Sequence, residues 1–163
     1  MKPGAHLHQR GFTLIEVVIT VAMVGLLATV ALPMAELEVQ RVKEQDLRVS
    51  LRQIRGALDA YKLAVDEGHI IRVAGASGYP PNLQVLVDGV VDAATPDDKK
   101  MIYFLRRIPR DPMVSDATLT DDETWGKRSY ESEADAPEEG EDVFDVYPLT
   151  SAIGINGIPY RNW

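Results

Sequence analysis

Hydrophobic positions along the chain follow two patterns, a continuous run near the start and a spaced pattern after it. Residues 12–35 read FTLIEVVITVAMVGLLATVALPMA and contain one ionisable side chain, Glu16. About 20 mostly apolar residues are enough for a helix to cross a bilayer. We therefore predict a transmembrane or assembly helix over residues 12–35.

After residue 35 the apolar positions recur three and four residues apart, which is the spacing of one helix face. The members of this stripe are Leu47, Leu51, Ile54, Leu58, Tyr61 and Val65. Charged side chains such as Arg48 and Arg55 fall on the opposite face. The pattern predicts that residues 36–67 continue the helix as an amphipathic half. Its stripe should pack on a globular head, and Gly68 should cap its end.

Gly25 and Pro33 are the two weak points of this long helical segment. Glycine lowers helix stability, and proline removes one i→i−4 hydrogen bond. Two interpretations stay open: a simple kink near the end of the apolar run, or a segment that unwinds when the chain leaves a bilayer to pack with other copies.

Residues 68–163 lose the helical period and predict a small globular head. In chain order the expected elements are a loop over 75–81, a short helix over 83–87, an apolar patch, helical or irregular, over 99–107, strands over 125–130 and 143–147, and a turn around Asn156-Gly157. Tyr130, Tyr147, Tyr160 and Trp163 should pack in the sheet and tail. A long helix packed on a small antiparallel sheet gives an α+β fold.

The charge of the chain is unevenly distributed. Residues 1–110 carry 14 Lys/Arg and 12 Asp/Glu, whereas residues 111–163 carry 3 Lys/Arg and 13 Asp/Glu. Such an acidic C-terminal portion repels phosphate backbones, so we expect no nucleic-acid partner. The chain has no cysteine, which excludes disulfides and thiolate metal sites.

Residues 1–11, MKPGAHLHQRG, form a short basic leader before the apolar run. Three interpretations arise: a cleaved secretory signal, a plain membrane anchor, or a segment that is both cut and anchored. A secretory signal has an apolar stretch of about 7–15 residues that ends at a small-residue cleavage site. The run here is longer and leads into charged helix, which argues against the secretory signal.

Glu16 separates the two remaining interpretations. A carboxylate inside a bilayer costs about 3 kcal/mol, although in a plain anchor it could reach toward the headgroups. A cut between Gly11 and Phe12 would create an α-amino group four residues before Glu16. Opposite charges on neighbouring copies could then neutralise each other inside an apolar bundle, and Glu16 would fix the register of the copies.

The stretch Gly11-Phe12-Thr13-Leu14-Ile15-Glu16, followed by an apolar run, resembles the class III signal of type IV pilins and type II secretion pseudopilins. The resemblance implies that prepilin peptidase cuts after Gly11 and methylates the new amine of Phe12. It also implies that Glu16 pairs with the amine of an adjacent subunit in a homopolymer. The basic leader should stay cytoplasmic by the positive-inside rule, which would place the head in the periplasm of a Gram-negative cell.

Later motifs resemble the major, G-type pseudopilin of type II secretion. They are Tyr79-Pro80-Pro81-Asn82-Leu83, residues 105–112, Trp125-Gly126, residues 142–147 and an aromatic stretch ending at Trp163. The resemblance implies a structural subunit of an inner-membrane and periplasmic pseudopilus that helps drive export of folded proteins. Its implied partners are minor pseudopilins and an inner-membrane assembly platform. A minor pseudopilin, a type IV pilin and a monomeric membrane-anchored binding module stay open as alternatives.

Carboxylates cluster near the C-terminus at Glu138, Glu139, Glu141, Asp142 and Asp145. The resemblance implies a possible Ca²⁺ ion in this region, and calcium prefers oxygen ligands of this kind. The chain departs from the usual loop, because Pro148-Leu149-Thr150 follows Tyr147 without a Gly/Asp-rich stretch. We therefore assign no metal ligand. No nucleophile elbow or Walker-type loop occurs, and we expect no enzymatic activity.

Overall fold

The computed structural model describes residues 12–95 and 100–163, and within α1 the side chains of residues 30–33 fall outside this description. The predicted leader, with Gly11, lies outside the described residues. Contacts within the chain divide it into two compact units, one ending at Gln40 and one running from Arg41 to Trp163. We call the second the head unit.

The longest element is helix α1, Leu14–Asp66. It begins after Thr13, whose carbonyl accepts the N–H groups of Glu16 at 3.1 Å and Val17 at 3.2 Å. The Thr13 hydroxyl also accepts the Glu16 N–H, at 3.3 Å. Thr13 and Glu16 stand in the Thr-x-x-Glu order of a capping box, so this pair sets the start of the helix.

The predicted apolar stripe of α1 forms the core of the head unit. All six stripe residues are buried, from 0% exposed at Leu47 and Ile54 to 8% at Tyr61. Leu83 and Leu86 from the next helix and Trp125 from the sheet join the same core. The prediction of a helix that buries one face against a globular head is confirmed.

The end of α1 is closed by backbone hydrogen bonds that only a left-handed residue permits. Gly68 has φ +81°, its N–H donates to the Val65 carbonyl, and the His69 N–H donates to the Ala64 carbonyl. This is the Schellman arrangement, in which glycine avoids the steric cost of positive φ. The prediction that Gly68 caps the helix is confirmed.

The rest of the head unit consists of short elements. These are α2 (Gln84–Asp88), β1 (Val90–Val91), β2 (Met101–Ile102), a 3₁₀ turn (Asp122–Thr124), β3 (Trp125–Arg128), β4 (Asp145–Pro148) and a second 3₁₀ turn (Tyr160–Asn162). β1 pairs antiparallel with β2, and β3 pairs antiparallel with β4. In the second pair Gly126 faces Tyr147 and Arg128 faces Asp145. The α+β class, with a long helix and a small antiparallel head, is confirmed.

Three segments differ in detail from the sequence prediction. The strand expected over residues 125–130 ends at Arg128. Within the patch expected to be helical or irregular, Met101–Ile102 form strand β2, because Gly89 with φ +78° turns the chain so that β1 can pair with it. The strand expected over residues 143–147 begins at Asp145. Val143 instead donates its N–H to the Pro80 carbonyl at 2.8 Å, which ties this segment to the loop after α1.

The turn expected around Asn156-Gly157 is present. Ile153 and Pro159 form an isolated antiparallel bridge, and Gly157 has φ +78°. The Gly157 N–H donates to the Gly154 carbonyl at 2.9 Å. The turn returns the chain toward α1, where Tyr160 is buried.

Candidate assembly segment and head anchors

The first unit presents apolar side chains in every direction. Every residue from 12 to 29 is exposed, including Phe12 at 82%, Leu14 at 85% and Leu26 at 70%. Among the described residues, α1 is the one helix long and apolar enough to cross a membrane. A helix that is apolar all round is stable only in lipid or among other helices, so this unit is incomplete as a monomer in water.

The polar groups inside this apolar segment are mostly satisfied within the helix itself. The Thr20 hydroxyl donates to the Val17 carbonyl at 2.9 Å, and the Thr29 hydroxyl donates to the Leu26 carbonyl at 2.7 Å. A hydroxyl that bonds its own helix adds little cost in lipid. Glu16 is therefore the one strongly polar side chain of the described apolar segment that still needs a partner from outside its helix.

Glu16 lies in the first turn of α1, where the backbone N–H groups have no acceptor in a preceding helical turn. An acidic side chain in this turn is favoured by the positive end of the helix dipole. Glu16 is predicted from the sequence to pair with a charge, whereas the N-cap contact of its backbone N–H with the Thr13 hydroxyl is not predicted. The signal was present in the Thr-x-x-Glu spacing. The two roles are compatible, since one concerns the helix start and the other a second chain.

Gly25 and Pro33 both fall within the continuous span of α1. No side chain of the described residues, and no backbone beyond the adjacent helix turns, lies within 4 Å of the position that a Cβ would take at Gly25, so packing within the chain does not require this glycine. The side chain of Pro33 lies outside the described residues. Local melting at these two positions stays a prediction.

Arg55 connects α1 to β4 and to the C-terminal residues. Its Nε donates to Oδ1 of Asp145 at 2.7 Å. One terminal nitrogen donates to the carbonyl oxygens of Val146 at 3.2 Å and Trp163 at 2.8 Å. The Arg55 side chain is 36% exposed. The sequence pattern places Arg55 on the solvent face and misses this contact, because its partners lie 90 residues and more along the chain.

Glu44 is the second side chain of α1 that holds the C-terminal residues. It is 7% exposed, and its Oε1 accepts the Ile155 N–H at 2.7 Å and the Tyr160 hydroxyl at 2.8 Å. The Tyr160 ring meets the Trp163 ring edge to face, with centroids 5.0 Å apart. The Arg48 guanidinium lies over the Trp163 ring at 4.3 Å. Tyr160 and Trp163 thus pack on α1, as predicted for the tail aromatics.

The acidic C-terminal region does not assemble a calcium site from the described residues. Asp145 is engaged by Arg55, and Asp142 accepts the Ser77 hydroxyl and the Tyr130 N–H. Within residues 12–95 and 100–163 no three His, Cys, Asp or Glu side chains converge as a metal group would require. The donor set therefore does not fit the calcium ion that the resemblance implied.

Side chains that could support catalysis are separated in the head unit. Nδ1 of His69 lies 2.9 Å from Oδ1 of Asp92, and this contact together with hydrogen bonds holds the pKa of Asp92 below its usual value. The Ser77 hydroxyl is bonded to Asp142 instead. A cleft of about 750 Å³ is lined by Ser77 and Tyr130, but His69 does not line it. Ser77 and His69 therefore belong to separate side-chain pairs, and the described geometry does not bring this hydroxyl and this imidazole together.

Comparison with known proteins connects the apolar segment to a family. Residues 7–32 match the family model described as the prokaryotic N-terminal methylation motif. The chain is 31% identical over 115 residues to the type II secretion system core protein G of Klebsiella pneumoniae, across 68% of this chain and 74% of that protein. The chain belongs to the type II secretion system core protein G family.

Other core protein G sequences agree. The chain is 30% identical to that of Escherichia coli K12, across 68% of this chain and 71% of the relative. It is 28% identical to that of Vibrio cholerae, across 66% and 68%. No solved structure gives a significant match to the chain. The predicted resemblance to the major, G-type pseudopilin is confirmed, and the matched N-terminal motif includes Gly11, Phe12 and Glu16.

Proposed function

We propose that this chain is a filament-forming structural subunit of a type II secretion pseudopilus, which helps drive folded proteins across the outer membrane. The observation that carries the proposal is the apolar stretch of residues 12–29, which is exposed at every position and has one carboxylate in the first turn of α1. Family membership supplies the context, because the relatives are named as core components of this secretion system. Those names specify a core protein of the secretion system and name no enzymatic activity.

The first step in the proposed maturation of the subunit is cleavage of the leader. Prepilin peptidase removes residues 1–11, leaving Phe12 as an N-methylated terminus. Residues 12–35 then hold the chain in the inner membrane, and residues 36–67 lead to the periplasmic part, 68–163. The positive charges of the leader support this orientation, since Lys and Arg are retained on the cytoplasmic side.

Glu16 is proposed to pair with the amine of Phe12 in a neighbouring subunit. An unpaired carboxylate at the centre of a bilayer costs about 3 kcal/mol. The described residues around Glu16 are mostly apolar and offer no positively charged side chain. The positive amine of a neighbouring subunit is the charge that a filament of identical chains can supply. Minor pseudopilins and an inner-membrane platform are the proposed further partners. Gly25 and Pro33 are proposed to soften the helix as the subunit leaves the lipid.

Three variants of the full-length chain test this pairing. Glu16→Gln keeps a polar side chain three residues after Thr13 but removes the charge, whereas Glu16→Ala removes both. Glu36→Ala, which removes an exposed carboxylate beyond the apolar run, is the matched control. We expect all three to be processed and inserted in the membrane. Both Glu16 variants should lose filament assembly at least tenfold, and Glu36→Ala should assemble normally.

The readout is the fraction of chain in sheared or cross-linked filaments, in cells that contain the peptidase and the assembly platform. Normal assembly of Glu16→Gln would show that charge pairing is not required. A wild-type chain that stays monomeric under the same conditions would favour the membrane-anchored binding module. Intact mass provides an independent check: the processed chain should begin at Phe12 and carry one extra methyl group.

A further inference from the structure

The C-terminal residues of this chain are held in a way that its family resemblance does not predict. The segment over residues 149–160 contains no Asp and no Glu. Calcium takes about six to eight oxygen ligands, with carboxylates prominent among them. The segment that follows β4 therefore lacks the carboxylates that a calcium site uses, and hydrogen bonds to α1 hold it instead.

Arg55 supplies a positive charge among oxygen acceptors at this place. Its guanidinium donates to the Asp145 carboxylate and to the carbonyl oxygens of Val146 and Trp163. These are the kinds of ligand that a hard cation takes, a carboxylate and backbone carbonyls. A guanidinium has five donors in a fixed plane and is charged at any physiological pH, so it can bridge such a set permanently.

Glu44 holds the donors of the same segment. Its buried carboxylate accepts the Ile155 N–H and the Tyr160 hydroxyl, and hydrogen bonds to an ionised acceptor are roughly twice as strong as neutral ones. Glu44 and Arg55 are eleven residues apart on α1, which is about three turns at about 3.6 residues per turn. The two side chains therefore leave the same face of the helix and hold the segment at two points.

We infer that the C-terminal segment, residues 149–163, is fastened to α1 by Glu44 and Arg55, and that the head unit needs no calcium to fold or to remain stable. This inference goes beyond the proposed function and does not depend on it, since it concerns a single chain. In this chain the Arg55 guanidinium of α1 takes the structural role that a bound cation would have.

Thermal unfolding of the full-length chain in detergent tests both halves of the inference. Tryptophan fluorescence is a suitable signal because both tryptophans, Trp125 and Trp163, lie in the head unit. The wild-type chain is measured with excess chelator and with about 5 mM calcium. Even a weak site, with a dissociation constant of about 1 mM, would raise Tm by about 4 °C at this concentration. We expect a change of less than about 1 °C.

Two pairs of variants test the anchors in the presence of chelator. Glu44→Ala leaves the Ile155 N–H and the Tyr160 hydroxyl without this acceptor, and we expect Tm to fall by about 5–10 °C. Asp46→Ala removes an exposed carboxylate of the same helix and should change Tm by less than about 2 °C. Arg55→Met should behave like Glu44→Ala, with the exposed Arg52→Met as its control.

The results separate clearly. A calcium-dependent rise of several degrees in the wild-type chain would overturn the inference that no calcium is needed. Equal Tm values for each variant and its control would overturn the assignment of Glu44 and Arg55 as anchors. If Glu44→Ala yields no folded chain, Glu44→Gln, which keeps an acceptor oxygen, should fold with a smaller loss of Tm. A Gln variant as stable as the wild type would show that the carboxylate charge is not part of the anchor.

Discussion

The Tyr147 ring lies directly over Gly126 on the neighbouring strand, and this contact predicts a large effect for a one-atom change. A Cβ added at Gly126 would stand 2.9 Å from Cδ2 of Tyr147 and closer still to Cε2 and Cζ. Real Cβ atoms keep at least about 3.0 Å from such neighbours, so Gly126→Ala forces the ring away. The two residues are directly paired in the β3–β4 register, so the clash is relieved by moving the Tyr147 ring off its present position.

The size of the effect follows from the surface that the ring would lose. An aromatic side chain buries about 150–250 Å² when fully packed, and Tyr147 is half-buried. Exposing about 80 Å² at about 25 cal/mol per Å² costs about 2 kcal/mol. Insertion of a methyl group into a packed site typically costs about 1–3 kcal/mol, which agrees. For a domain the size of the head unit this corresponds to a fall in Tm of about 8 °C.

Differential scanning calorimetry of the full-length chain in detergent measures the change, with Gly56→Ala as the matched control. Gly56 is an exposed helix position with no atom within 4 Å of an added Cβ. Alanine there should stabilise the helix by about 0.5–1 kcal/mol, so the two glycine substitutions should shift Tm in opposite directions. In a Tyr147→Ala background, Gly126→Ala should cost little. A Gly126→Ala chain as stable as the wild type would refute this reasoning.

Two further predictions concern the core and a buried acid. Leu58→Ala, at a 1% exposed position of the α1 stripe, should lower stability by about 2–5 kcal/mol in urea unfolding, whereas Leu63→Ala, 56% exposed, should be nearly neutral. Burial raises the pKa of Asp111 above its ordinary value of 3.8, so its charged form is disfavoured in the fold and stability is lost as pH rises through the folded pKa. Asp111→Asn should therefore raise Tm at pH 7, and this advantage should vanish below about pH 4 in a Tm–pH series.

For both the Leu58 and the Asp111 prediction, one outcome would contradict the physical reason given. Equal losses from Leu58→Ala and Leu63→Ala would mean that the apolar stripe does not direct packing. For Asp111, whose Oδ2 has no hydrogen-bond partner among the described residues, a pH-independent difference between variant and wild type would show that the carboxyl charge is not the cause.

The long helix was predictable because its two halves repeat a simple pattern over many turns. Residues 12–35 form an apolar run long enough to span a bilayer, and the stripe from Leu47 to Val65 has enough positions for its period to be unambiguous. Gly68 was predictable as a cap because few residues other than glycine tolerate the required φ. The N-terminal methylation motif was recognisable for a similar reason: its residues Gly11, Phe12 and Glu16 lie within six positions.

The short strands and the head anchors could not be predicted in the same way. Strand β2 has two residues, which is too few to show alternation. Glu44 and Arg55 look like ordinary charges of a helix, since nothing near them in sequence distinguishes a buried charge from an exposed one. Their partners lie about 90 to 116 residues away, and only the folded chain brings them together.

The distance in sequence between the anchors and their partners also determines when these contacts form during synthesis and folding. During synthesis Arg55 emerges long before Trp163, its partner 108 residues further on. Contacts of such high sequence separation form late and slowly, because a long loop must close first. During that interval the apolar stripe of α1 has only part of its cover and is open to proteases and to other unfinished chains. A chaperone acting on the emerging subunit would thus have a defined interval in which to act, ending when Tyr160 reaches Glu44.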